Sequence, residues 1–444
     1  MSEFNIDRQT LNDLNIFNEG ATSNSIYNIF KYTRTLGGRE RLTELMRNPS
    51  SDINEITLRR DAIAFFHQYK INFEIRNEEF DLISFYLKFD KRKSESNIID
   101  TVSDFVTRNS SNDYYIIKTG LKYLISFAKY ILGFIDEHSK INTPEYLITI
   151  FDRITAIIKE GLLKDAIQLN EYNLKFFHIN KLDAAFRGKE LDNMKELLQL
   201  AYELDIFENI AFVASKLDLT FPVYEEGNNL KVSIKGLFHP GISNAVKNDI
   251  DFDKDQNIVF LTGSNMAGKS SLLKSLGIVI YLSHLGFPVP AAAVKTTIFN
   301  GLITTINLPD NTNEGLSHYY SEVKRVKEVS LKLVESDRIF VIFDELFRGT
   351  NVKDAFDASL LIISELSFVR NSAFFISTHI VELADELAKF NNVSFKYLDT
   401  FFSEGKPVFT YKLTEGVSKE RLGMYIVQNE GIVDIIRESC KKIY

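Results

Sequence analysis

At 444 residues the chain is too long for one ordinary domain, and its 45% hydrophobic and 25% charged composition supports two or three buried cores. A formal net charge of −8 disfavours a broad phosphate-binding face but leaves room for a local basic patch. One cysteine, Cys440, excludes an internal disulfide framework, no uncharged apolar run is long enough to span a membrane, and the start MSEFNIDRQ has no secretory pattern, so a cytoplasmic location is expected.

Residues 4–70 read as helices with short breaks. Ile26, Ile29 and Phe30, then Leu42, Leu45 and Met46, carry helical spacing, with a break at Gly37-Gly38 and a stop near Pro49. Residues 71–215 are again mostly helical, in FDLISFYLKF, GLKYLISFAKYILGFI, PEYLITIFDRITAIIKEGLL and NMKELLQLAYELDIFENIAFVAS, and their apolar stripes predict core-facing helices of a bundle. The polar stretch RNSSNDY at 108–114 is expected to be an exposed connection.

The texture changes near Thr220. Short β-rich runs (Leu230 to Ile234, Ile258 to Leu261, Ile298 to Ile306, Ile339 to Phe343, Ala373 to Ser377 and Val408 to Leu413) alternate with helical segments, which predicts a mainly parallel sheet covered by helices. The expected organisation is therefore a helical domain over 1–215, a linker or strand over 216–235, and an α/β domain over 236–444. The fold class is α plus α/β.

The most informative stretch is 258–285. An apolar strand run enters Gly263-Ser264-Asn265-Met266-Ala267-Gly268-Lys269-Ser270-Ser271, which fits G-x-x-x-x-G-K-[ST] with one serine to spare, and helix-period apolar residues follow. The glycines let the backbone turn tightly and aim N–H groups at phosphate oxygens, and the following helix adds its positive N-terminal end. Lys269 can reach the β- and γ-phosphates, and the Ser270 hydroxyl can ligate Mg²⁺. Further on, IFVIFDE at 339–345 is a buried-strand run ending in two carboxylates. After a phosphate loop it reads as a Walker B element, with Asp344 holding Mg²⁺ through its water shell and Glu345 placed to polarise the attacking water. FFISTH at 374–379 ends another strand in Thr378-His379, and this histidine can contact the γ-phosphate or the water. The polar turn Arg348-Gly349-Thr350 follows the carboxylates.

With these residues in view, the chain resembles the MutS family of mismatch-repair ATPases. The residues that carry the resemblance are TGSNMAGKSS at 262–271, GFPVPA at 286–291, DELFRGTNVKD at 344–354 and Ser377-Thr378-His379. Gly236-Leu237-Phe238-His239-Pro240 is similar to the family's Gly-Arg-His-Pro, with Leu-Phe in place of Arg; Asp310-Asn311, Gly315-Leu316-Ser317 and Glu322 resemble its signature segment. In the helical half, Asp7, Thr10, Leu14 and Ile16, then Leu36-Gly37-Gly38-Arg39, Arg59-Arg60 and Leu204-Asp205-Ile206 follow its core domain. The resemblance implies a P-loop ATPase of ABC type that uses ATP and Mg²⁺. It implies a homodimer in which Ser317 reaches the partner's γ-phosphate, with a dimerisation tail over 416–444. Tyr411 falls where the family often places a ring against adenine, and the family's other stacking position is Ala245 here.

The family's mismatch-reading and connector domains have no counterpart ahead of residue 4, and 61–203 is short for full levers and a DNA clamp. The tripeptides Phe17-Asn18-Glu19 and Phe402-Ser403-Glu404 match the mismatch reader's Phe-x-Glu but lack a wedge-like context. The expected function is thus a MutS-like, Mg²⁺-dependent dimeric ATPase acting on DNA without mismatch readout, with Lys91, Arg92 and Lys93 as candidate phosphate contacts. The competing reading is a nucleotide-gated protein-interaction module with no nucleic-acid role.

Overall fold

In the computed structural model, the described residues are 4–17, 25–89, 112–140, 142–227, 229–264, 266–306, 318–403, 406–418 and 429–441. The chain divides into two compact units. One gathers Met1–Ile26, Pro49–Ile56 and Leu217–Tyr444, and the other gathers Tyr27–Asn48 and Thr57–Lys216.

The first unit is mixed α/β. Its strands are β1 (Asn5–Ile6), β2 (Val223–Tyr224), β3 (Lys231–Leu237), β4 (Asn248–Asp253), β5 (Ile258–Thr262), β6 (Ala293–Thr296), β7 (Gly301–Thr305), β8 (Ile339–Asp344), β9 (Ala373–Ser377), β10 (Val393–Ser403) and β11 (Lys406–Glu415). A seven-stranded sheet has the order β1-β7-β8-β9-β5-β10-β11. Every neighbouring pair is parallel except the β10–β11 hairpin. Central β5 and β9 are buried along their whole length, as the continuous apolar runs IVFL and AFFI require of strands covered on both faces.

The Leu230–Ile234 run, expected to join a parallel sheet, instead forms β3 in a separate four-stranded sheet of order β2-β6-β3-β4. There β3 runs antiparallel to both neighbours, and its alternating burial pattern matches a strand with one face to the core. Asn248 ties the two sheets together: its Nδ2 donates to the Tyr411 carbonyl at 3.0 Å, and its Oδ1 accepts from Leu413 N at 2.7 Å.

The chain start also differs from the expected helical domain of 1–215. Residues 4–16 are built into the sheet-bearing unit. Asn5 and Ile6 pair with Gly301 and Leu302 at the sheet edge. Asp7 then caps the Arg8–Asp13 helix by accepting from Thr10 N at 2.7 Å, and it also accepts from Arg325 Nη1 at 2.6 Å. Buried Asp13 takes the Thr304 hydroxyl at 2.7 Å and Ile306 N at 2.9 Å. Burial without such partners would cost about 1–3 kcal/mol per group, so these bonds fix where the segment sits.

The second unit is helical, with the four expected apolar stretches lying in the helices Asn77–Lys88, Asn112–His138, Glu145–Lys159 and Leu191–Leu217. Its core is rich in aromatic edge contacts, such as Phe80 on Phe127 at 4.8 Å and Phe134 on Phe151 at 6.2 Å. Gly37-Gly38 does not break a helix; it opens one, Leu36–Arg47, behind the N-cap Thr35. The physical reason is Asp205, whose buried carboxylate accepts from Arg34 N, Thr35 N and the Thr35 hydroxyl and so holds the chain at the helix entry. A Cβ on Gly37 would lie 2.3 Å from the Tyr202 ring, so the glycine is a packing requirement. The expected connection at 108–114 falls mostly outside the described residues, with Asn112 to Tyr114 opening the Asn112–His138 helix.

Candidate functional site

β5 delivers the loop 263–268 into the Lys269–Ser283 helix, which is buried along most of its length by Leu272, Leu273, Leu276, Val279 and Ile280. Gly268 forms the N-cap at φ 95°, and an added Cβ would lie 3.1 Å from Tyr411 Cδ1. A side chain there would be strained by the backbone and would press on the Tyr411 ring. Lys269 is buried, and its ammonium donates to the Gly263 carbonyl at 2.8 Å and to the Ser264 carbonyl at 3.3 Å. Burial pulls the Lys269 pKa below its ordinary value, while the Glu345 and Asp344 carboxylates oppose that shift. Met266 and Ser270 are exposed, Ala267 is buried, and Ser271 faces outward one step along the helix. Asn265 lies outside the described residues.

The adjacent strand ends converge on this loop because β5, β9 and β8 are successive parallel neighbours. The Ser270 hydroxyl donates to Asp344 Oδ2 at 2.7 Å. The other oxygen of that carboxylate, Oδ1, is buried with no hydrogen-bond partner among the described residues. An orphaned carboxylate oxygen beside a hydroxyl fits Mg²⁺, which takes one or two protein oxygens and fills its octahedron with water and phosphates. Accordingly, no cluster of three or more His, Cys, Asp or Glu side chains that could cage an ion occurs among the described residues.

Glu345 follows in a left-handed conformation, φ 54°, anchored by its N–H on the Ser377 carbonyl at 2.9 Å. A glutamate held at positive φ is strained, and such outliers concentrate where a side chain must be aimed. Its carboxylate lies 3.8 Å from Arg348 Nη1. Both line a 20 Å³ cavity with Asp344, Thr305 and Glu322, large enough for about one water. Glu322 is buried there and its carboxylate accepts from Gly349 N at 3.5 Å, so the signature segment and the Arg348-Gly349-Thr350 turn meet at this point. Thr378, next to exposed His379, donates its N–H to the Leu261 carbonyl at 3.0 Å, placing the β9 end beside the loop.

On the other side of the loop lies a 360 Å³ cavity, within the size range of small-molecule sites. Tyr411 lines it with Phe238, His239, Ala245, Gly268 and Ser271. Tyr411 sits in a bulge of β11, where the register with β10 shifts between Leu398 and Thr400, and has φ 56°. Bulges re-aim side chains, and this one turns the ring toward the phosphate-loop glycine. Burial, with Lys274 nearby, pulls the His239 pKa below its ordinary value, favouring a neutral ring. Phe238 and His239 were legible as a motif but not as wall residues, because only the β3–β4 pairing carries them here. Ser317 and the run Lys91, Arg92, Lys93 lie outside the described residues; so do Asn18, Glu19 and Glu404 of the two Phe-x-Glu tripeptides.

Comparison with known proteins bears directly on this geometry. The family profile described as MutS domain V matches residues 259–444, a span that includes the loop 263–268 and the strand ends around it. Residues 259–444 thus match the MutS family at its domain V. The chain is similar to the DNA mismatch repair protein MutS of Thermotoga petrophila, with 27% identity over 71% of this chain and 41% of that protein. It is 31% identical to MutS of Thermotoga sp. strain RQ2, over 55% of this chain and 31% of that protein. With MutS of Petrotoga mobilis it shares 24% identity over 376 residues, 83% of this chain and 44% of that protein. That last alignment is longer than the 209 residues from 236 to 444 and so reaches into the helical part. The chain thus spans less than half the length of the curated MutS relatives it matches.

Proposed function

We propose that this MutS-family chain is a Mg²⁺-dependent P-loop ATPase that works as a dimer on DNA without reading mismatches. The observation that carries the reading is the Ser270–Asp344 contact, with the orphaned Asp344 oxygen beside it, at the mouth of the loop that holds Lys269. Backbone N–H groups of 263–268 and the helix N-terminus cradle the phosphates, and Lys269 leaves its loop carbonyls to neutralise the terminal ones. Ser270 and Asp344 would hold Mg²⁺, which would supply charge neutralisation on the phosphate oxygens. Glu345 holds the attacking water and accepts its proton, and His379 hydrogen-bonds to the water or the γ-phosphate. Tyr411 stacks on adenine in the cavity it shares with Phe238 and His239. Ser317 completes the partner's site.

Association is supported by the Ile432–Lys441 helix, which exposes Ile432, Val433, Ile435 and Ile436, an apolar set that solvent does not favour. The DNA assignment rests on the curated relatives. The enzymatic reading is tested by ATP turnover in Mg²⁺: wild type should hydrolyse ATP, and Lys269→Ala should lose nucleotide binding. Equal nucleotide affinity in that variant would refute the site.

A further inference from the structure

The helical unit carries a surface that the nucleotide site does not explain. Tyr115 and Tyr172 are each 69% exposed and Phe177 is 64% exposed, an unusual outlay of large rings to water. Two segments hold them. The Asn112–His138 helix presents Tyr115, Lys118 and Lys122 at i, i+3 and i+7, one stripe two turns or about 10 Å long. The segment 169–181 is fixed against that helix at three levels. Lys129 bonds the Leu169 carbonyl and Glu171, the Lys122 ammonium lies 4.6 Å from the Tyr172 ring centroid, and Tyr114 stacks on Phe176 at 5.6 Å. Lys122 thus packs against the Tyr172 ring, and Tyr115 and Phe177 each follow in the chain a member of the stacked Tyr114–Phe176 pair.

The charges point the same way. Residues 112–123 and 169–181 contain Lys118, Lys122, Lys175 and Lys181, with His178. They contain two carboxylates, Asp113 and Glu171, and Glu171 is committed to Lys129 at 2.5 Å, which lowers its pKa. In a chain of net charge −8 this is a local reversal of sign. Rings that offer faces to any base, spaced among ammonium groups that offer contacts to a backbone, are the two elements of single-strand recognition. A duplex hides its base faces and would leave the rings unused.

We infer that this Tyr115–Lys122–Tyr172–Phe177 surface binds an unpaired nucleic-acid strand, with bases stacked on the rings and phosphates on Lys118, Lys122, Lys175 and Lys181. The inference rests on the proposal that the chain acts on nucleic acid, but not on hydrolysis.

The test is fluorescence anisotropy of the full chain with labelled oligothymidylate, oligouridylate and a blunt duplex over a salt series. Wild type should bind one or both single strands. Tyr172→Ala should weaken that binding by about fivefold or more, and Tyr172→Phe, which keeps the ring, should retain it. Lys122→Gln should flatten the salt slope by about 0.7. ATP turnover without nucleic acid should match wild type in all three variants, which establishes that they are folded. Single strands bound equally by wild type and Tyr172→Ala would overturn the inference. So would binding of the duplex alone, which would leave the DNA reading intact; binding of no nucleic acid at all would overturn both.

Discussion

His284 gives the sheet-bearing unit a defined acid sensitivity. The ring is fully buried at the end of the phosphate-loop helix, 4.3 Å from the Phe4 ring and 6.2 Å from Phe299. Its Nδ1 bonds the Ile280 carbonyl at 2.8 Å, and its Nε2 accepts from Phe299 N at 2.9 Å. The proton therefore sits on Nδ1, and a second proton on Nε2 would face an N–H donor. Burial pushes the pKa down from 6.5 to about 4. The unfolded chain takes up a proton near pH 6.5 while the folded chain resists it, so stability is fully present above about 6.5 and is lost as pH falls toward 4. The full difference is about 3 kcal/mol, and roughly 1 to 2 kcal/mol of it should be gone by about pH 5.5. The assay is hydrogen exchange of peptides covering residues 269–306, compared at about pH 7.5 and 5.5 after correction for intrinsic exchange. Wild type should lose protection by that amount. His284→Gln, less stable at neutral pH but unable to titrate, should lose less. An identical pH dependence in the two proteins would refute the reasoning.

Two further outcomes follow from the proposed assembly and target. If Ser317 serves the partner's site, Lys269→Ala and Ser317→Arg proteins should each be inactive, and co-refolded mixtures should regain turnover; demonstrated heterodimers without recovery would place Ser317 outside the partner's chemistry. DNA affinity should be salt-dependent and equal for a matched duplex and a G·T heteroduplex, since mismatch reading needs a wedge at a deformable step. A preference above about tenfold, or roughly 1.4 kcal/mol, would show a mismatch reader.

The candidate phosphate loop and the two acidic or histidine-bearing strand ends stood out in the sequence because the chemistry proposed for them demands particular residue types at fixed spacing, and the structure places these segments side by side. Long apolar stripes likewise announced the helices of the second unit. What was hidden depended on distant partners. Asn5 and Ile6 make a strand too short to show any period, and only Gly301 and Leu302, far along the chain, give it a ladder. The same holds for Gly37-Gly38, a breaker by local propensity that Asp205 turns into a helix entry. Glu345 could be named as a catalytic candidate, but its strained φ of 54° comes from the turn that follows β8. The four-stranded sheet of β2, β3, β4 and β6 was missed because strands such as NDIDFD, half of whose residues are acidic, carry a weak apolar signal.

The central claim is that Glu345, aimed by its left-handed turn beside Ser270 and Asp344, activates the water that attacks ATP. The most direct measurement is nucleotide binding and single-turnover hydrolysis by Glu345→Gln, a substitution that preserves shape and removes the base. Binding should persist while the hydrolytic rate falls about a hundredfold or more. A rate equal to wild type would contradict the assignment.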